Sequence, residues 1–482
     1  MIFGFVQKQY SCLYKFLSIS FAPVLAATTL SVWLICSSCG STNQQAGGVI
    51  IFRDVHVISM ENNQLLENQS VVVNNGRIEK IGPSSVIKIK DDQQFVDGSG
   101  KYLMPALSDI HIHLPKNRNL GQLRNTLKLL LAHGITLGRN MAGAPYQRAM
   151  LDQLSQENIP YPDLIMGSPF FRGGEFNSTD ELIDSARSYA SQNFDFLKVH
   201  SHLTQAEFDT LASIAAAVNL QLEGHIPKSK GLVLALTHGN YSIIDHLDGF
   251  FQELSTSEID LSVEEHGYYG ELLASQLDLS KMPNLITKIK EKDLALVPTQ
   301  NLVRLWYEDL SDSLLGNYDN IEYIHPSYVV RWNSILITAR KRLQGNQALA
   351  SLILENRDSI LRSLFYAGIP ILCGSGSYEV NIIPGFSLLE EMLVLEKVGF
   401  TPYEVLQTTT SAVGNWYNME RGKIKEGWVA DFILLNENPL ENLSALKDLA
   451  GLFTKNAWLN ETTLKGYLAE VADDLNASKK HN

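Results

Sequence analysis

The 482-residue sequence predicts an α/β protein: a (β/α)8 TIM-type barrel with a small β-sandwich formed by the N- and C-terminal segments. Two observations favour this fold. Between residues 105 and 420, short apolar runs alternate with amphipathic helical stretches, which is typical of parallel strands joined by helices. The flanking segments 49–104 and 421–462 instead contain short strand patterns separated by turn signals.

Composition excludes several classes of protein. Hydrophobic residues make up 45% of the chain and charged residues 19%, which excludes a disordered or collagen-like protein. The 52 acidic residues outnumber the 39 lysines and arginines, so the formal net charge is −13. Nucleic acid is excluded as a partner, because phosphate contacts need clustered Lys and Arg. Of the four cysteines only Cys373 lies beyond residue 39, which excludes a disulfide framework in the folded part.

The first 48 residues have the pattern of an export signal or anchor followed by a polar linker. Lys8 and Lys15 precede an uncharged stretch, 16–36, which is also long enough to span a bilayer. Cys39 follows two serines, as at a bacterial lipoprotein cleavage site. Lipid anchorage through Cys39, cleaved soluble export and an uncleaved apolar anchor remain alternatives. Each predicts a protein of the periplasm or cell envelope that meets the membrane only through this segment.

The N-terminal β segment contains the strand signals VIIFRDVHVI and SVVVNNGRIEKIG, and Asn75-Gly76 marks a tight hairpin in the second. The β pattern returns from about Gly422 in GKIKEGWVADFILLNENPL and LFTKNAWLN. Both chain ends are therefore expected in one β-domain. Residues 463–482 are expected to form a polar C-terminal tail.

The central segment supplies eight candidate strands. They are LSDIHIHL, GITLGRNM, DLIMGSP, FDFLKVH, LQLEGHIP, YSIIDHL, LALVPTQ and GIPILCG. Helix signals lie between most of them: four leucines share one face of NLGQLRNTLKLLLAHG, and Thr204 with Glu207 predicts a capping box. Thr401-Pro402 predicts another helix start, because proline is favoured in the first turn.

Titratable side chains collect at the carboxyl ends of these strands, where the active sites of such barrels lie. They are His111, His113, Lys198, His200, His225 and His246. His111 and His113 are two residues apart, so strand alternation directs both side chains into the barrel. Imidazole clusters of this kind suit zinc and similar divalent ions, and the sequence therefore predicts a metal centre.

The stretches LMPALSDIHIHL, FDFLKVHSHLT, LEGHIP and IIDHLDG resemble the metal-site strands of the amidohydrolase superfamily. The resemblance is to the exported group related to imidazolonepropionases and prolidases, and supporting stretches extend it from about Val49 to Trp458. It implies a barrel beside a β-sandwich built from both chain ends. It also implies a metal-dependent hydrolase that cleaves a C–N bond of an amide, cyclic amide or dipeptide.

The resemblance further implies the ligands of one or two divalent ions, with zinc the first candidate. His111 and His113 would bind one metal, and His225 and His246 a second. Lys198 would be carboxylated and bridge the two, because a carbamate supplies two anionic oxygens where an ammonium supplies none. Burial lowers the pKa of a lysine and so permits this modification. The alternative for Lys198 is an ordinary salt bridge inside the barrel.

The last strand departs from the family pattern. Relatives end it in Gly-Thr-Asp, whose Asp is a metal ligand and general base, whereas this chain has Gly376 at that position. Leu389 stands where relatives often carry a histidine. Since a positioned base contributes about 10²–10⁴-fold to the rate, hydrolysis is expected to be impaired unless another residue substitutes.

Four residues are candidates to replace the missing base: His200, Glu223, Tyr378 and Glu379. We select His200, because it lies two residues after Lys198 and so points to the same side of the barrel. Its alternative role is a hydrogen-bonding residue of the cavity wall. Glu223 points inward at a deeper level, where we expect a buried hydrogen bond or ion pair.

Three hypotheses follow for function. The first is an exported metal-dependent hydrolase with a small-molecule substrate. The second is a non-catalytic relative that keeps the pocket to bind a metal or ligand. The third is a hydrolase with a single metal, because loss of the Asp ligand weakens one metal's coordination. The sequence is compatible with a homo-oligomer in each case.

Overall fold

The computed structural model describes residues 44–45, 48–90, 93–157, 160–256, 266–311 and 318–479. The predicted signal or anchor with Cys39 therefore lies outside the described residues. Asn43–Asn482 forms one compact unit. Within the ranges given, no helix is both long enough and apolar enough to cross a membrane.

The secondary structure alternates as the sequence predicts over the central part of the chain. The strands are β1 (Gln44–Gln45), β2 (Val49–Ile58), β3 (Leu65–Asn74), β4 (Arg77–Pro83), β5 (Gln94–Asp97), β6 (Tyr102–Pro105), β7 (Leu107–Ile112), β8 (Ile135–Asn140), β9 (Asp163–Met166), β10 (Phe196–Val199), β11 (Gln221–Gly224), β12 (Tyr241–Asp245), β13 (Ala295–Val297), β14 (Phe432–Leu435), β15 (Leu449–Thr454) and β16 (Ala457–Asn460). The helices are α1 (Leu120–Ala132), α2 (Pro145–Ser155), α3 (Thr179–Ser191), α4 (Gln205–Ala217), α5 (Leu232–His238), α6 (Phe250–Leu254), α7 (Met282–Lys290), α8 (Gln300–Tyr307), α9 (Pro326–Leu343), α10 (Gln347–Tyr366), α11 (Phe386–Val398), α12 (Pro402–Thr409), α13 (Ser411–Trp416) and α14 (Glu461–Lys479).

Strands from both flanking segments belong to one nine-stranded sheet, while the predicted β-sandwich stays a prediction. Its order is β1-β16-β15-β14-β6-β2-β3-β4, and β5 pairs with β2. The hairpin between β3 and β4 turns at Asn75 and Gly76, whose φ angles of 49° and 74° suit asparagine and glycine. Phe52 packs edge-on against Phe432, so residues from the two ends share one apolar core.

The central strands form two parallel sheets, β7-β8-β9 and β10-β11-β12-β13. A bridge between Gly167 and Phe196 links the end of β9 to β10. Seven of the eight predicted strands are present. The eighth, GIPILCG, forms an isolated parallel bridge from Ile371 to Leu296 of β13, and the N–H of Ile110 in β7 donates to its Cys373 carbonyl.

The C-terminal tail prediction is wrong over most of its length, because residues 461–479 form helix α14. Val471 and Leu475 recur at helical spacing and pack against Leu129 of α1. Both predicted helix starts are confirmed. The side chains of Thr204 and Thr401 accept hydrogen bonds from the third residues of α4 and α12, and the glutamates at those residues bond back.

Candidate metal centre

Four histidines follow directly after four parallel strands. His113 follows β7, His200 follows β10, His225 follows β11 and His246 follows β12. His111 lies inside β7, two residues before His113. Parallel strands end at the same edge of a sheet, so the alternation of strand and helix brings these five imidazoles to one place.

The five imidazole rings form a continuous cluster. The ring centroids of His111 and His113 are 5.3 Å apart, those of His111 and His246 are 4.7 Å apart, and those of His246 and His225 are 4.8 Å apart. His200 continues the row, 5.3 Å from His225. The structure thus brings together every side chain predicted from the sequence as a ligand, with Lys198 beneath them. Whether all of them bind metal stays a prediction.

The outer nitrogens of two histidines are held by polar partners. Nδ1 of His225 donates to Oδ2 of Asp248 at 2.7 Å, and Nδ1 of His246 hydrogen-bonds Oγ1 of Thr299 at 2.7 Å. Each bond fixes the ring and leaves Nε2 free to bind a metal. Nδ1 of His111 is buried and lies 3.3 Å from Oδ1 of Asp245 without a well-aligned hydrogen bond, so both atoms are available to one ion.

A compact group of possible metal ligands lies in this cluster. The ligand atoms of His111, Asp245 and His246 are all within 4.8 Å of one another, and all three residues are buried. Asp245 and His246 are consecutive in sequence, yet both reach the cluster. They do so because β12 ends at Asp245 and His246 adopts a left-handed φ of 63°, which breaks strand alternation.

Beneath the histidines, a column of four buried charges runs through the parallel strands. Lys198 Nζ lies 3.1 Å from Oδ2 of Asp245, and Arg139 Nη2 lies 2.5 Å from Oδ1 of the same carboxylate. Arg139 Nη1 also lies 3.2 Å from Oε2 of Glu223. Two cations thus face two carboxylates, and the prediction of a buried ion pair for Glu223 is confirmed. The Lys198 ammonium group makes the salt bridge that the sequence left as the alternative to carboxylation.

Glycine at position 224 makes room for Lys198. A Cβ placed on Gly224 would lie 2.5 Å from Nζ of Lys198 and 2.6 Å from its Cδ. The backbone of Gly224 also has a φ of 111°, which other residues rarely adopt. Gly224, the glycine of LEGHIP, therefore leaves free the space that the side chain of Lys198 occupies.

Burial sets the protonation of the cluster. It lowers the pKa of His111 to about 4 and holds the pKa values of His225 and His246 well below their usual range. These imidazoles are neutral at pH 7, the form that binds metals. Burial also lowers the pKa of Lys198. Burial opposes the charge on Asp245, but the nearby Arg139 and Lys198 outweigh it and hold its pKa well below the usual range.

These features fit a divalent metal. Neutral imidazoles and the buried carboxylate of Asp245 form a donor set typical of zinc and related ions. All four histidines that the sequence predicts as metal ligands lie in this cluster, and Asp245 adds a carboxylate.

The structure shows what Gly376 does in place of an aspartate. Its backbone N–H donates to the carbonyl of His111 at 2.7 Å, which ties this turn to β7. A Cβ there would lie 3.8 Å from Thr299 and Leu302, so a side chain would fit the space, although the φ of 83° disfavours one. Before the turn, Ser375 donates through its N–H and its hydroxyl to Asp109, at 2.8 and 2.6 Å.

His200 is less well placed for base catalysis than the sequence suggested. Its Nδ1 lies 3.1 Å from Nδ1 of His202 and also accepts the backbone N–H of His202. Burial, reinforced by His225 and His202, lowers the pKa of His200 to about 2. An imidazole with so low a pKa is a weak proton acceptor at neutral pH.

A cavity of about 520 Å³ opens above the histidines. Its lining combines histidines, cations, acids and aromatic rings. The cations are Lys116, Arg172, Arg331 and Arg342, the acids are Glu175 and Glu379, and the aromatic residues are Phe170, Tyr268, Tyr269, Trp306, Tyr328 and Tyr378. With four cations against two acids, the wall favours an anionic ligand.

Sequence reasoning missed the groups that support the histidines. Asp248 and Thr299 lie in DHLDG and VPTQ, just beyond strand ends that had been identified, so their positions were a usable signal. Asp245 was not predicted as a ligand, because strand alternation directs the side chains of consecutive residues, such as Asp245 and His246, to opposite faces of the sheet.

With a parallel α/β fold and a buried histidine–carboxylate cluster at the strand ends, the protein has the architecture of a metal-dependent hydrolase. The chain belongs to the amidohydrolase family, whose model matches residues 102–466. This confirms the resemblance stated from the motifs.

Individual relatives are distant. The chain is 23% identical over 401 residues to a 5′-deoxyadenosine deaminase of Methanococcus maripaludis, covering 79% of this chain and 86% of that enzyme. It is 22% identical over 244 residues to an adenine deaminase of Clostridium perfringens, covering 47% of this chain but only 41% of that enzyme. A crystal structure of a Xaa-Pro dipeptidase with bound methionine superposes with a TM-score of 0.61 at 15% identity, covering 86% of this chain and all of that one. The family and these relatives support a hydrolase acting on C–N bonds.

Proposed function

We propose that this protein hydrolyses the C–N bond of a small amide, cyclic amide or dipeptide that carries an anionic group. The observation that supports the proposal is the neutral histidine cluster, with Lys198 and Asp245, at the floor of a cavity lined by four cations. His111, His113, Lys198, His225 and His246 are the proposed metal-binding residues, and carboxylation of Lys198 with zinc is the proposed cofactor state.

Each group of the chain has a defined part in this reaction. A bound divalent ion would supply a nucleophilic hydroxide at neutral pH and polarise the substrate carbonyl. Asp248 and Thr299 hold the rings of His225 and His246 in orientation. The aromatic wall around Tyr269 and Trp306 excludes water, and the cations orient the anionic end of the substrate.

The test measures metal first and turnover second. The full-length chain is purified in mild detergent without chelators, and metal per chain is determined by mass spectrometry. About two equivalents, and release of amine from N-acyl amino acids or dipeptides, are expected. Near-zero metal after incubation with divalent ions and bicarbonate would contradict the proposal.

The cationic wall makes a second measurement informative. A dipeptide with a free carboxylate is compared with the same dipeptide capped as its C-terminal amide. Loss of the charge-assisted contacts should lower kcat/KM by about tenfold or more. Equal kcat/KM values for the two would contradict the anionic substrate class.

Two observations favour a second candidate, a non-catalytic metal- or ligand-binding protein of the cell envelope. Gly376 carries no side chain, and His200 is a weak base. In this case the protein would bind metal and substrate-like anions without turnover. Replacing Gly376 with Asp separates the two: a large gain in hydrolysis indicates a preserved scaffold without a base.

We also propose the location and the domain arrangement stated from the sequence. Residues 1–48 would direct export to the periplasm or cell envelope, with or without a lipid at Cys39. The parallel strands would close into a barrel over residues 105–420, supported by the bridges Ile112–Ser377 and Leu296–Ile371. The nine-stranded sheet would provide the β-sandwich from residues 49–104 and 421–462.

A further inference from the structure

The turn after the eighth predicted strand is fixed firmly against β7. Gly376 N–H donates to the carbonyl of His111 at 2.7 Å, and His113 N–H donates to the carbonyl of Ser377. The turn then closes on itself, since Glu379 N–H donates to the carbonyl of Gly376 at 2.8 Å. The backbone of Glu379 is therefore positioned by the same strand that carries His111 and His113.

This anchoring brings the Glu379 carboxylate beside the histidine cluster. Its Oε1 lies 3.9 Å from Nε2 of His113, and its side chain is 37% exposed, on the cavity side. Over the described ranges, no lysine or arginine nitrogen lies within 4.0 Å of this carboxylate, and no side-chain hydrogen bond to it is formed. Its oxygens therefore remain available to a ligand or a water in the cavity.

Three other carboxylates beside the histidines already have partners. Asp245 pairs with Arg139 and Lys198, and Asp248 accepts the hydrogen bond from His225. Glu223 pairs with Arg139 at a deeper level and accepts from Ser242 at 2.6 Å. Of these acids, Glu379 alone faces the substrate cavity without a competing bond.

We infer that Glu379 is the general base of this site, in place of the His200 that the sequence suggested. This inference rests on the proposed function. The carboxylate holds the nucleophilic water on the cavity side of His113 and takes its proton. Gly376 contributes by its left-handed φ, which turns the chain so that the acid three residues later reaches the cluster.

In the proposed step, water and an amide are converted into a carboxylic acid and an amine. The water oxygen forms a bond to the carbonyl carbon while one of its protons moves to Oε1 of Glu379, giving a tetrahedral intermediate. The C–N bond then breaks, and the proton on Glu379 passes to the leaving nitrogen. The products are a carboxylic acid and an amine, and Glu379 is a carboxylate again.

The experiment uses the full-length chain loaded with Co²⁺, in four forms. They are the wild type, Glu379→Gln, Glu379→Asp and the control Glu355→Gln, which removes one exposed negative charge from α10. Two properties are measured: kcat for a substrate found in the dipeptide panel, and the affinity for azide, followed by the visible absorption of Co²⁺. Azide probes the water position and requires no turnover.

Glu379→Gln should lower kcat by about 10²–10⁴-fold with little change in KM, because the base is lost while binding is retained. It should also bind azide about tenfold more tightly, since a nearby negative charge no longer repels the anion. Glu379→Asp should recover part of kcat. Glu355→Gln should match the wild type in both properties.

The outcomes separate this inference from the proposed function. Unchanged azide affinity and unchanged kcat in Glu379→Gln would overturn the assignment of Glu379, while Co²⁺ binding would still support a metal-dependent hydrolase. A wild-type chain that takes up no Co²⁺ would overturn both. Tighter azide binding in Glu379→Gln but not in Glu355→Gln would support the placement of the carboxylate at the water.

Discussion

Replacement of Gly224 by alanine should displace the side chain of Lys198 and lower the free energy of unfolding. The new methyl group would lie 2.5 Å from Nζ of Lys198, so the lysine must leave its place beside Asp245. Both residues are fully buried. Breaking a buried ion pair costs about 3–5 kcal/mol, and a side chain at a left-handed φ costs about 1–2 kcal/mol. The free energy of unfolding should therefore fall by about 4–7 kcal/mol.

Gly427→Ala is the matched control. Gly427 has a similar left-handed φ of 85°, but nothing lies within 4 Å of a Cβ placed on it. This variant should lose only the backbone cost of about 1–2 kcal/mol. Guanidinium denaturation followed by tryptophan fluorescence measures both variants, and metal content is determined in parallel. A Gly224→Ala variant no less stable than Gly427→Ala, with full metal content, would refute the reasoning.

Three further variants test the supporting groups. Asp248→Asn should weaken metal affinity by about 10–100-fold, because His225 loses the carboxylate that orients it; a Co²⁺ competition titration with unchanged affinity would contradict this. Arg139→Met should lower the free energy of unfolding by about 3–5 kcal/mol, because Asp245 and Glu223 lose their shared cation. Denaturation curves that superpose on those of the wild type would show that this buried cation is not needed for stability. Burial lowers the pKa of His133 to about 4, so below pH 6.5 the unfolded chain binds a proton that the folded chain does not. Between pH 6.5 and 5, wild-type stability should therefore fall by about 1 kcal/mol per pH unit more than that of His133→Gln, and equal slopes would rule this out.

The parallel strands and the histidine positions could be predicted because they depend on local patterns. His113, His225 and His246 each follow a short apolar run, and the ends of parallel strands meet by geometry. The eighth strand is formed only in part, because GIPILCG has the composition of a strand but makes a single bridge, from Ile371 to Leu296 of β13. Apolar composition alone does not show how many backbone groups of a short segment will pair with its neighbours.

The supporting groups depend on long-range contacts that the sequence does not display. Arg139 and Asp245 are 106 residues apart, and neither residue type by itself indicates a buried ion pair. His246 also breaks strand alternation, because its φ of 63° turns the chain just after β12. The same limit applies to α14, whose spacing of Leu464, Val471 and Leu475 was visible but whose partner on α1 was not.

The buried column of Arg139, Lys198, Asp245 and Glu223 has a consequence for how the site assembles. It is electrically neutral when Lys198 is an ammonium and both acids are ionised. Conversion of Lys198 to a carbamate would change its charge by two and leave the column with an excess of two negative charges. Uncompensated charge is costly in the protein interior. One divalent cation restores neutrality. In the proposed carboxylated state, uptake of carbon dioxide and uptake of metal would thus be coupled by charge balance, and by reciprocity each would raise the affinity for the other.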